Sequence, residues 1–197
     1  MTATAESDAT RALAQLASAR YASESNNNMG HSGVHRSSDS LRITSTRAEL
    51  RAAVNAAAAG AQRLISIYTP DLEPDLYDQT GFLEIIKHFV LARSFSKVRV
   101  LLQQPTRVMR DSNRFVAMGR RLSSCIDIRH IGRDSPVQGS AYLIADDRAV
   151  VLRMRADAWD GMADLNNPRV AKLYLKEFDA VWNASAPERG LRVARRS

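Results

Sequence analysis

Histidine, the side chain best suited to moving protons near neutral pH, occurs four times here, as His31, His35, His88 and His130. His31 and His35 stand four apart, a metal-ligand spacing on a helix, but the Gly and Ser around them oppose a helix and no further ligands accompany them. His88 lies beside Phe89 in a helix-periodic apolar run and reads as structural. His130 nearly closes the run CIDIRHI, and ligands of open α/β sheets gather at strand ends, so it is kept as a candidate. The single cysteine, Cys125, opens that run. A Cys–His nucleophilic pair needs its side chains within about 3–4 Å, whereas positions 125 and 130 face opposite ways on one strand. Cys125 therefore reads as a small buried hydrophobe. Neither GxGxxG after the first strand nor GxxxxGK[ST] anywhere is present, so no phosphate-cradling loop is expected.

Arginine is the more abundant chemistry. The 197 residues carry 28 Lys plus Arg against 21 Asp plus Glu, and four of the basic residues are lysines. Residues 1–40 are slightly acidic, so the excess lies in the remainder. Arg107, Arg110, Arg114 and Arg121 fall at spacings of 3, 4 and 7, which places them on one side of a helix read over 108–123. Arg129 and Arg133 follow closely. Guanidinium forks suit carboxylate and phosphate, so Arg107, Arg110, Arg114, Arg121, Arg129, His130 and Arg133 form a candidate surface for an anion or an acidic partner. A solvated helix face, with arginine stems covering apolar surface, is the plainer alternative. The acidic stretch TPDLEPDLYD holds Asp71, Glu73, Asp75 and Asp78; Pro70 and Pro74 make it a surface turn rather than a cation site. Neither a metal nor a cofactor is expected.

The elements that must position these residues are legible from periodicity. Residues 1–20 allow a short helix, and 21–40, rich in Ser, Asn, Gly and His, read as disordered linker. The domain is read over 41–185, with a basic tail at 186–197. Thr46 and Glu49 form a capping box for a helix ending at Gly60, with Leu50, Val54, Ala57 and Ala58 as its packing face. A strand, RLISIYT, follows. A second helix fits 80–94, a strand 97–103, the arginine-rich helix 108–123, and a third strand 125–131. Helix and strand alternating with short connections predict parallel crossovers. The rhythm then changes to a hairpin, 140–145 and 148–155, turning at Asp146-Asp147. A last helix starts at Pro168 after Asn167 and runs to about 183. The start, MTATAESDAT, lacks the basic and apolar regions of a secretory signal, no apolar run reaches the roughly 18 residues of a membrane span, and a lone cysteine builds no disulfide scaffold. A cytoplasmic location is expected.

With the elements in this order, LISIYTPDL, KVRVLLQQ, MGRRLSSCIDIRH, GSAYLIADDRAVVLR and KEFDAVW together resemble one module of the phospholipase D-like superfamily, and a group of uncharacterised bacterial proteins related to it. The resemblance implies a mixed sheet, three parallel crossover strands plus a hairpin, flanked by helices. Active members carry HxKxxxxD, followed six residues later by GSxxN: the His is the nucleophile and the Lys holds phosphate. Here Asp146 matches the Asp, but Gly139 stands for the His and Ala141 for the Lys. Arg153, Met154 and Asp157 stand for the later Gly, Ser and Asn. The resemblance thus implies a module without that chemistry, acting in protein interaction or anion binding. Two alternatives stay open: nucleic-acid binding through the basic helix 107–121, and an enzyme of other chemistry acting on a phosphate-bearing or other anionic substrate. Because two modules pair in the family, a two-fold homodimer is expected by analogy.

Overall fold

Thr46 opens the first long helix by the capping box that its sequence specifies. Its hydroxyl accepts the Glu49 amide at 3.2 Å, and the Glu49 carboxylate accepts the amides of Ser45 and Thr46 at 2.9 and 3.1 Å. Such bonds satisfy amides that a helix start leaves without internal partners. The computed structural model describes residues 41–105, 113–132 and 139–187. In it β1 (Leu41–Thr44) precedes this helix, α1 (Arg47–Gly60), and β2 (Leu64–Thr69) follows. A short helix α2 (Pro74–Tyr77) leads to α3 (Thr80–Ala92), β3 (Lys97–Leu102), α4 (Arg114–Arg121) and β4 (Ile126–His130). The hairpin β5 (Ala141–Ala145) and β6 (Ala149–Arg153) comes next, then β7 (Gly161–Asp164), α5 (Pro168–Ala184) and the two-residue β8 (Ala186–Pro187).

One sheet takes in every strand among the described residues, in the order β1-β7-β6-β5-β2-β3-β4-β8. Strands β2, β3 and β4 are parallel, and the remaining pairings are antiparallel. The expected mixed sheet of crossover strands plus a hairpin is therefore present. Strand β8 lies just past residue 185, where the sequence reading ends the domain.

Alternation along the strands assigns two cores. Ile65, Ile67, Val98, Val100, Ile126, Ile128, Leu143 and Val151 face α1, α3 and α4, in one cluster with Leu50, Val54, Phe82, Ile86 and Phe115. Each such side chain, fully buried, contributes about 1.5–3 kcal/mol. On the opposite face Tyr142 stacks on Tyr68 at 4.9 Å and meets Tyr174 of α5 at 5.1 Å. Helix α5 also buries Val170, Phe178 and Trp182, and its N-cap Asn167 accepts the Val170 amide at 3.2 Å, with Pro168 in its first turn.

Three sequence expectations change. The helix read over 108–123 instead starts at Arg114: the Asn113 side chain caps it by accepting the Val116 amide at 3.2 Å. Of the expected stripe, Arg114 and Arg121 lie on this helix, and Arg107 and Arg110 fall outside the described residues. Cys125 is half-buried at the rim of the core rather than within it. The acidic stretch after β2 is not wholly a turn, since Pro74 opens α2 there and Leu76 and Tyr77 are buried.

Candidate functional site

Thr69, the last residue of β2, is fully buried and its hydroxyl donates to Glu73 Oε2 at 2.8 Å. Between them Leu72 adopts φ 52°, with its side chain completely buried. A non-glycine residue in the left-handed region costs roughly 1–2 kcal/mol, which packing of the leucine offsets. The turn brings Glu73, at the N-cap of α2, against the end of β6. There Arg153, 3 % exposed, donates from Nη2 to Glu73 Oε1 and from Nη1 to the carbonyls of Ala156 and Ala158 at 2.7 and 3.1 Å. The Trp159 ring centre lies 5.9 Å from the same guanidinium. Burial pushes the Glu73 carboxyl above the usual range, against the opposing pull of the Arg153 cation. Strand register places Arg153 opposite Ala141.

The positions implied to carry phosphodiester chemistry are thus next to a buried ion pair and have no reactive nitrogen of their own. Gly139 is exposed with open space around its Cα, and its carbonyl accepts the Ala156 amide at 2.7 Å. Ala141 is buried. Met154 is exposed, and Asp157 is engaged at the surface by Arg155 at 2.9 Å. The signature remnant Asp146 has a structural task. It turns the hairpin at φ 55°, and its carboxylate accepts the amides of Gln62, Arg63 and Leu64 at 2.9, 2.8 and 3.0 Å. It thereby ties the β5–β6 turn to the α1–β2 junction. Among the described residues no group of three or more His, Cys, Asp and Glu side chains is placed to hold a metal ion.

The basic candidates separate. Arg107, Arg110 and Arg133, like the pair His31 and His35, lie outside the described residues. Arg114 is engaged by Asp78 at 2.7 Å and by Thr80 at 3.3 Å. Arg121 is exposed on the same helix. Arg129 lies over Trp182 at 4.1 Å and donates to the carbonyls of Trp182 and Ser185 at 3.0 and 3.4 Å. It therefore closes the C-terminal end of α5, where carbonyls lack internal partners. Ile126 and Ile128 of β4 meet α4 at Gly119, so Arg129, at the alternate position, projects to the other side of the sheet. His130 ends β4, half-buried. The sequence expectation of one positive surface uniting α4 with Arg129 does not hold.

Sequence reasoning missed the Arg153–Glu73–Thr69 network. It also missed Arg99, which pairs with Asp179 at 2.8 Å beneath the rings of Phe178 and Trp182. An arginine in the middle of a strand was the available signal.

Residues 46–193 match a family model described as "Domain of unknown function (DUF7931)". No curated protein matches the chain. Among solved structures, the phospholipase D family member Nuc from Salmonella typhimurium superposes with a TM-score of 0.55 at 19% identity, over 76% of this chain and 98% of that one. NucT from Helicobacter pylori gives 0.54 at 8% identity, over 75% and 98%. TrmBL2, an archaeal chromatin protein whose structure shows a novel mode of DNA binding, gives 0.56 at 12% identity, over 90% and 66%. The fold is that of the phospholipase D-like superfamily.

Proposed function

We propose that this chain, which belongs to the DUF7931 family and has the phospholipase D-like fold, is a noncatalytic module that acts by binding a protein partner. The observation that carries the reading is the replacement at the signature positions. Gly139 and Ala141 offer neither a nucleophile nor a phosphate-holding cation, and Arg153 across the register is committed to Glu73 and two carbonyls. Covalent phosphodiester cleavage requires an activated nucleophile, and an arginine neutralised by a buried carboxylate is a poor receptor for phosphate. The two-fold homodimer, the cytoplasmic location and a module that begins at 41 belong to the same reading, with β8 carrying the sheet on to Pro187, past the expected end at 185.

Its test is turnover of bis(4-nitrophenyl) phosphate and of a phosphatidyl substrate by the purified chain, with Arg153→Lys alongside. The expected rates equal those of buffer for both proteins. A rate proportional to protein concentration would overturn the reading.

A second reading, nucleic-acid binding, is favoured by the formal charge of +7 and by the likeness to a chromatin protein. The engagement of Arg114 by Asp78, and the position of Arg129 across the sheet from α4, count against a shared basic surface.

A further inference from the structure

The packing of α3 against α4 leaves an outward groove of about 510 Å³. Its floor is apolar: Leu91 from the last turn of α3, and Ala117, Met118 and Leu122 from α4 and its C-cap. Leu91 is 65% exposed, which a lone surface leucine explains well enough. A methionine, a second leucine and an alanine line the same trough, so the apolar side chains adjoin one another between the two helices. Its lining cations are Lys87, Arg114 and Arg121. Glu84 approaches Lys87 at 3.6 Å and Asp78 holds Arg114. Arg121 has no hydrogen-bond or ion-pair partner among the described residues.

We infer that this groove receives an amphipathic acidic helix of a partner protein, its leucine-type anchors on the Leu91–Met118–Leu122 floor and its carboxylates on Arg121 and Lys87. Charge complementarity selects the occupant. An apolar floor flanked by cations suits a helix that alternates apolar and acidic faces, whereas a nucleic-acid backbone would leave the floor unfilled. The thioether of Met118 adapts to different anchor shapes at low cost. The inference rests on the proposed binding role and names its partner class.

The experiment titrates the full chain with a labelled peptide of ~16 residues, leucines at i, i+3 and i+7 on one face and glutamates elsewhere. A twin peptide carries lysine for every glutamate. The acidic peptide is expected to bind with a Kd on the order of 10 µM. Leu91→Glu and Arg121→Glu, both at exposed positions, should each weaken it at least about tenfold, with thermal unfolding unchanged. The lysine peptide should not bind. Absent binding, equal binding of both peptides, or indifference to the two variants overturns the inference. Self-association of the wild type that Leu91→Glu abolishes also overturns it and assigns the groove to a second copy. Each of these failures leaves the noncatalytic reading intact, because that reading falls with turnover and not with peptide affinity.

Discussion

Glu73 and Arg153, 80 positions apart, meet where both are nearly out of solvent. Taking two charges out of water is costly, and removing one partner leaves the other charge uncompensated, a loss of about 3–5 kcal/mol. Glu73→Gln and Arg153→Met are each expected to lower the unfolding free energy by about that much. The double variant should lose less than the sum, since it buries no orphan charge. Urea unfolding of the four proteins in the cycle measures this, and additive losses would mean that the pair is not coupled. What the sequence could say of this site was negative. One window suffices to see that Gly139 and Ala141 cannot do the work of a histidine and a lysine. The pair itself is unreadable from one dimension, because it depends on strand register and on a left-handed turn at Leu72. Leucine carries no local signal for positive φ, unlike glycine or asparagine. Asp146 lay between these cases: its turn was legible from Asp-Asp between two strands, its three amide partners were not.

Helix α1 owes its start to Glu49, whose carboxyl is held below the usual range by the amide of Ser45 first, then by the side chain and amide of Thr46. A carboxyl lowered in the folded state binds fewer protons there than in the unfolded chain. Its contribution to stability is therefore present above the ordinary glutamate value of about 4.3 and is lost as pH falls through the lowered folded value. Glu49→Gln should be less stable than wild type at pH 7, and the two should converge on acidification. Urea unfolding at intervals from neutral pH down to about pH 3 reads this; a constant gap would exclude the carboxylate charge as its source. This helix was legible because cap, apolar spacing and stop all agree. Helix α5 was legible from its Asn167–Pro168 start and apolar spacing, and α3 from apolar spacing alone, since Gln79 makes no side-chain cap bond. Helix α4 was misjudged at its start because arginines at helical spacing extend past Asn113, and a cap residue inside a polar run looks like any other polar residue. Strand β7, Gly161-Met-Ala-Asp164, lacked β-branched or aromatic residues and was invisible. It exists because β6 and β1 pair with it on both sides.

At the scale of the whole molecule, the sheet decides what the positive charge can do. Read along the chain, Arg114, Arg121 and Arg129 belong to one candidate surface for an anion or an acidic partner, but β4 sends alternate side chains to opposite faces. Arg129 goes with Trp182 and α5, while Arg121 stays with α4. Within the described residues the two therefore cannot neutralise neighbouring phosphates on one duplex. Nonspecific DNA affinity follows phosphate neutralisation, with a log–log salt slope of about −0.9 per contact. A duplex docked through Arg114 and Arg121 would lose a slope of about 1.8 in Arg114→Ala/Arg121→Ala. The expected result is weak binding at low salt, none at about 150 mM, and a slope that the double variant barely changes. That outcome follows because Arg114 is already engaged by Asp78 and Thr80, so that of these two arginines Arg121 alone lacks an ion-pair partner among the described residues. Micromolar affinity at about 150 mM salt, abolished in the double variant, would reverse the assignment. It would mean that DNA displaces Asp78 from Arg114, so α4 would serve as the nucleic-acid face and the acidic-helix groove would be the wrong use of the same arginines.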